Sequence, residues 1–150
     1  MTLYSALLLL HLLAIVVWVG GMIFALFCLR PAATSILPPP QRIPLMHAAL
    51  GRFFNLVVMA IALILASGVA MLLTVGMKNM PFAWPWMIGL GAVMMTIFFH
   101  VRASPFVQLG ACVKAEDWPA AARNLEKIRF AVTLNLAIGL SIIALMKLGR

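Results

Sequence analysis

The chain has 150 residues, of which 65% are hydrophobic and only 9% are charged, and its formal net charge is +8. A soluble domain is about half apolar and a quarter charged, so these few charges could not cover a water-facing surface. The composition therefore excludes a soluble globular domain and predicts an integral membrane protein. Nucleic-acid binding, the usual interpretation of a basic chain, is not needed, because membrane topology explains the charge.

Four apolar stretches are long enough to cross a hydrocarbon core, which takes roughly 20 residues per helix. In chain order, we predict spans at about 3–29, 53–75, 82–101 and 130–148. Backbone groups in lipid must be paired within the chain, and the continuous apolar runs lack the alternation of a barrel strand. The predicted fold class is all-α: a single transmembrane domain, residues 1–150, built as an antiparallel four-helix bundle.

The first predicted span contains one histidine, His11, in the stretch LLLLHLLAIVVWVGG. Trp18 follows seven residues later, two helical turns on, so the two side chains share a face. An ionisable group within a membrane is costly and nearly always faces the bundle interior. We therefore predict that His11 faces inward, where it makes an interhelical hydrogen bond or contacts a cofactor.

The segment from Pro31 to Pro44 includes Pro38-Pro39-Pro40 and is predicted to be an extended connector. A helix is expected to resume after Pro44. His47 and Arg52 would then lie on an extension of the second span.

The stretch GMKNMPFAWP, residues 76–85, predicts a short hairpin between the second and third spans. Met77 and Met80 lie close in sequence to Trp84, Trp86 and Met87. Thioethers are soft ligands that suit Cu(I), so Met77 and Met80 are candidate copper ligands.

His100 lies near the end of the third predicted span and Arg102 follows that span, and a long loop is expected after it. Asp117 is predicted to cap a helix, with Trp118 and a proline in its first turn, that continues into the fourth span. Asn135 lies within that span. We predict that it makes an interhelical hydrogen bond, with a cofactor contact as the alternative.

Basic residues are unevenly distributed between the two ends of the predicted bundle. The positive-inside rule places the richer end in the cytoplasm, so both termini are predicted to be outside, in the periplasm of a bacterial inner-membrane protein. The richer end carries Arg30, Arg42, Arg52, Arg102, Lys114, Arg123, Lys127 and Arg129, and the other carries Lys78, Lys147 and Arg150.

The few polar residues limit the reactions and cofactors that the predicted spans could support. The chain has three acidic residues, and none lies in a predicted span, which argues against a carboxylate proton relay. Imidazole is a common ligand of haem iron and transition metals. His47 and His100 match in depth as axial ligands, whereas His11 and His100 differ by roughly 10–15 Å. Arg52 and Arg102 could pair with haem propionates or simply anchor the helices.

Two related families provide a resemblance over most of the chain. HLLAIVVWVGGMIFALFCLRPA and GRFFNLVVMAIALILASGVAMLL resemble the first and second helices of the CopD-like family of small bacterial membrane proteins. FFHVRASP and RFAVTLNLAIGLSIIALMKLG resemble the third and last helices of HemJ-type protoporphyrinogen oxidases. The resemblance implies a four-helix haem-b-binding protein, with His11, His100, Asn135 and Lys147 at the matching positions. HemJ-type proteins carry a further histidine where this chain has Cys28-Leu29-Arg30.

Three functional hypotheses follow. The first is a haem-b-binding inner-membrane protein in electron transfer or porphyrin-linked oxidation, a membrane haem oxidoreductase with a quinone, porphyrin or other redox partner. Its candidate residues are His11, His47, His100, Arg52, Arg102, Trp18 and Asn135. The second is a CopD-like copper-handling protein that uses Met77, Met80 and His11. The third is a non-catalytic subunit of a membrane complex. Each places the chain in lipid and is compatible with a homo-oligomer.

Overall fold

The structure, a computed structural model, describes residues 2–149, and this part of the chain is helical apart from short connections. The α-helices are α1 (Leu3–Phe24), α2 (Arg30–Ile36), α3 (Pro39–Val75), α4 (Trp84–Ala103), α5 (Pro105–Lys114) and α6 (Trp118–Leu148). A π-helical turn, Ala25–Leu29, joins α1 to α2, and a 3₁₀ turn, Met77–Asn79, lies between α3 and α4.

In the described part of the chain, four helical segments are long and apolar enough to cross a membrane: Leu3–Ile36, Pro39–Val75, Trp84–Lys114 and Trp118–Leu148. This confirms the predicted all-α membrane bundle. The "terminal end" is where α1 begins, α6 ends and the Met77–Asn79 turn lies. The "arginine end" is the opposite end, with α2, α5 and the first turns of α3 and α6. Within the bundle, α1 packs mainly on α3, and both α4 and α5 pack on α6.

The connector between the first two spans is shorter than predicted. Only Leu37 and Pro38 lie between α2 and α3, so the prediction of an extended segment over 31–44 was wrong. The reason is that Pro39 and the next proline occupy the first helical positions. N–H groups there have no acceptor within the helix, so proline loses no hydrogen bond and its fixed φ suits the helix. Helix α3 consequently begins before Pro44.

The segment after Arg102 is also more ordered than the long loop we predicted. The chain bends at Ser104, where φ is −123° and ψ is −81°, and continues as α5 with Pro105 in its first turn. The Asp117 cap is confirmed, because its side chain accepts a hydrogen bond from the Ala120 N–H at 3.3 Å. From there α6 continues into the fourth span without a break.

The core nearer the arginine end is built on aromatic rings. Phe54 on α3 is 2% exposed and makes edge contacts with Phe98 on α4 and Phe106 on α5, at ring-centroid distances of 5.5 and 5.1 Å. Trp18 on α1 contacts Phe98 in the same manner at 6.1 Å. This cluster joins the first three spans and lies directly beside the cavity described next.

Candidate functional site

An apolar cavity of about 310 Å³ lies between α1, α3, α4 and α6, in the half of the bundle nearer the terminal end. Most of its wall is aliphatic, and among residues 2–149 His11 is the one ionisable side chain that lines it. Two indoles, Trp18 and Trp84, contribute to the wall as well. Four thioethers also line the cavity, from Met71, Met87, Met94 and Met95.

The hydrogen bonds around Ser67 indicate which ring nitrogen of His11 carries the proton. The His11 side chain is only 6% exposed, and its Nδ1 lies 2.9 Å from Ser67 Oγ on α3. Ser67 donates its single hydroxyl proton to the backbone carbonyl of Leu63, with Ile64 as a longer second acceptor. We therefore assign the imidazole proton to Nδ1, which donates to Ser67. The other nitrogen, Nε2, keeps its lone pair.

An imidazole held in this way is suited to bind a metal ion. Metal-binding histidines usually donate the second ring N–H to a neighbouring acceptor, which fixes the ring and its tautomer. Thioethers select Cu(I), and imidazole accepts copper as well. Among residues 2–149, no three side chains of histidine, cysteine, aspartate or glutamate form a group that could hold a metal. The cavity places the imidazole of His11 and the thioethers of four methionines in one lining.

Asn135 makes the interhelical hydrogen bond predicted for it. Its Nδ2 donates to the backbone carbonyl of Met94 at 3.1 Å, and the side chain is 4% exposed. Gly139, one turn further along α6, allows close approach, since a β-carbon there would lie 3.2 Å from Met94 Cε and 3.4 Å from Val19 Cγ2. These contacts hold α4 against α6 at the cavity wall. Asn135 therefore positions Met94, which lines the cavity, although Asn135 itself does not line it.

The other two histidines lie elsewhere. His47, near the arginine end of α3, is half-buried, and its ring stacks on Phe106 at 5.0 Å between centroids. A β-carbon at Gly110 would lie 3.1 Å from His47 Nε2, so this edge of the ring faces α5. His100 is exposed near the end of α4. The pairing of His47 with His100 as axial ligands stays a prediction.

The remaining candidates from the sequence also lie outside the cavity. Arg52 is exposed, and Arg102 donates to Asn55 Oδ1 at 3.3 Å, which links α4 to α3. Met77 is 79% exposed in the turn after α3, and Met80 follows it. The cavity therefore contains a different methionine set from the one the sequence favoured.

Sequence reasoning missed three of the four cavity methionines, although a signal was present. On α4, Met87, Gly91 and Met94 follow each other at spacings of four and three, which places them on one helical face. On α1, His11, Ile15 and Trp18 have the same spacing. Which two faces would meet across a cavity depends on helix packing, and the sequence does not specify it.

Comparison of the sequence with known protein families identifies the family of this chain. A family model described as copper resistance protein D, CopD, matches residues 47–148, which include most of α3 and all of α4, α5 and α6. No curated protein and no solved structure matches the chain. His11 and Trp18 on α1 precede the matched segment, whereas all four cavity methionines and Ser67 fall within it. The match covers more than half of the chain, which therefore belongs to the CopD (copper resistance protein D) family of membrane proteins, with a copper-resistance-related membrane function.

Proposed function

We propose that the protein handles Cu(I) in the membrane and that the His11 cavity is the place where the ion binds. The observation that carries this proposal is the 2.9 Å contact between His11 Nδ1 and Ser67 Oγ, from which we assign the proton to Nδ1. That nitrogen is held by Ser67, so the lone pair of Nε2 remains for a ligand in a cavity that four methionines line. Copper is the cargo in this proposal. The family match favours copper over the haem b predicted from the histidines.

The neutral ligands of the proposed site favour transport of Cu(I) over its storage. Imidazole and thioether ligands are neutral, and no carboxylate of residues 2–149 lines the cavity, so bound Cu(I) would keep its positive charge within an apolar surrounding. Burying an uncompensated charge is costly, which limits the affinity that soft ligands provide. A transport site needs binding that is strong enough for uptake and weak enough for release. We also propose an inner-membrane location with periplasmic termini, which the distribution of basic residues supports.

Cu(I) binding by the detergent-purified protein tests this function. With a chromogenic chelator as competitor and ascorbate as reductant, we expect about one Cu(I) per chain. Met94→Leu combined with Met95→Leu removes two soft ligands and keeps the apolar volume. We expect this double variant to weaken Cu(I) binding by at least about tenfold. Loss of a group that only orients a metal ligand already costs that much, and loss of a ligand should cost no less. His11→Ala should weaken binding at least as much.

Matched variants separate the cavity from other sites. Met59→Leu is the same chemical change at a side chain on α3 that is 65% exposed, and it should leave binding unchanged. Met77→Leu combined with Met80→Leu tests the turn site that the sequence favoured. If that pair abolishes binding while the cavity pair does not, the cavity proposal is wrong. A Soret band at one haem per chain, lost in a His→Ala variant, would instead support haem b.

Ser67→Ala provides a prediction about the tautomer of His11. Without the Ser67 acceptor, Nδ1 loses its hydrogen bond and the ring is free to rotate. We expect Cu(I) affinity to fall by about 10–100-fold, the usual cost of removing a group that orients a metal-binding histidine. Ser141→Ala is the control, because Ser141 also donates to a carbonyl four residues earlier, on the exposed face of α6. Wild-type affinity in Ser67→Ala would contradict the assigned role.

A further inference from the structure

A second cavity, which the copper proposal does not use, lies at the arginine end. It has a volume of about 120 Å³ and is bounded by the π turn after α1, by α2, by α3 and by α6. Its polar lining consists of three arginines, one glutamate and one threonine, and the rest of its wall is mostly aliphatic. The polar residues are Arg30, Thr34, Arg42, Glu126 and Arg129. We refer to it as the arginine pocket.

The positive charge of the arginine pocket is only partly neutralised. Glu126 on α6 accepts from Arg30 at 2.7 Å through Oε1 and from Arg129 at 3.2 Å through Oε2. Among residues 2–149, Arg42 makes no ion pair or side-chain hydrogen bond, and it lies in the second turn of α3, near the positive end of that helix dipole. One carboxylate therefore faces three guanidinium groups. The guanidinium groups repel one another, although solvent screens Arg129 and Glu126 at the rim, so an added anion would be stabilised there.

The π turn places Arg30 in the pocket. Pro31 has no N–H, and in an α-helix its ring would crowd the carbonyl four residues earlier, so the turn ahead of it opens. The Arg30 N–H accordingly bonds to the Ala25 carbonyl, five residues back. This extra residue rotates Arg30 by about 100° around the axis relative to an uninterrupted α-helix. Single π turns of this kind are frequent at functional sites.

We propose that the arginine pocket binds the phosphate of an anionic phospholipid headgroup. Guanidinium groups hold phosphate oxygens through paired, charge-assisted hydrogen bonds. The pocket is large enough for a phosphate but not for acyl chains, which would lie outside it along the apolar faces of the helices. Its polar residues mark the headgroup depth, because Arg30 and Arg129 stand where the predicted spans end. Basic pockets between helices at this depth bind anionic lipid headgroups.

Lipid retention during purification tests this inference, independently of any copper binding. The protein is reconstituted in nanodiscs of phosphatidylcholine with 30% phosphatidylglycerol, then extracted and analysed by native mass spectrometry. We expect one phosphatidylglycerol to be retained in preference to phosphatidylcholine. Arg42→Gln removes the unpaired charge without breaking the Glu126 ion pairs. It should lower retention by about fivefold, the effect of one arginine near an anionic lipid surface.

Arg123→Gln is the matched control, because Arg123 lies on the same end of α6 and does not line the pocket. Retention should be unchanged in this variant. An equal loss in Arg123→Gln would mean that overall charge is responsible and would overturn the proposal, as would equal retention of the two lipids. Inorganic phosphate supplies the last comparison. If millimolar phosphate displaces the bound lipid and stabilises the protein in an Arg42-dependent way without lipid, the ligand is a free phosphate and not a headgroup.

Discussion

Phe54→Ala is expected to destabilise the folded bundle by about 3 kcal/mol. Phe54 is 2% exposed and contacts Phe98 and Phe106, so its removal leaves a cavity between α3, α4 and α5. We expect the low end of the range for buried phenylalanines. In lipid, packing rather than the hydrophobic effect holds helices together, and the transfer part of the loss is smaller. The free energy of unfolding in mixed detergent micelles, followed by circular dichroism, measures this change.

Phe130→Ala is the matched control for this prediction. Phe130 lies on α6 and is 74% exposed, so the same truncation removes little packing and should change the free energy of unfolding only slightly. Equal losses in the two variants would contradict the assignment of Phe54 to the core. Phe54→Leu should fall between wild type and Phe54→Ala, because it keeps most of the volume and loses the edge contacts between rings.

Gly21→Ala is expected to cost about 1–3 kcal/mol of stability by overpacking the contact between α1 and α3. A β-carbon at Gly21 would lie against the Phe53 ring, 2.8 Å from Cζ and closer still to Cε2. Either the ring must rotate or α1 must move away from α3. The adjacent Gly20 provides a control of identical chemistry, since a β-carbon there has nothing within 4 Å. Gly20→Ala should be neutral or gain up to about 1 kcal/mol from helix propensity.

A double-mutant cycle with Phe53→Leu identifies the clashing partner. If the Phe53 ring is the obstacle, the smaller leucine should leave room for the added methyl group, and the cost of Gly21→Ala should shrink substantially in the Phe53→Leu background. Additive effects of the two substitutions would show that Gly21 is needed for another reason. Thermal unfolding of the four proteins in one detergent provides the comparison. Gly21 and Gly139 thus lie at close helix contacts, whereas Gly20 does not.

Predictions from the sequence were confirmed where one side chain or one short segment determines the local structure. Asp117 caps α6 because its side chain reaches a backbone N–H three residues later, which depends only on neighbouring residues. Asn135 bonds across to α4, as a lone amide at membrane depth is expected to do. The extended segment predicted from the proline run was wrong, because proline breaks the interior of a helix but suits its first turn. Sequence position alone did not indicate which of these two situations applied at Pro39.

The sequence by itself determined the class of this protein: four apolar spans, a helical membrane bundle, and an intramembrane histidine that must face inward. Those conclusions follow from composition and helical periodicity, because lipid penalises any other arrangement of backbone and charge. Only the tertiary structure decided which residues His11 contacts. Its Ser67 acceptor is 56 residues away in the chain, and the cavity methionines belong to α3 and α4. Helix packing selects such partners through contacts between distant faces, which no local pattern encodes.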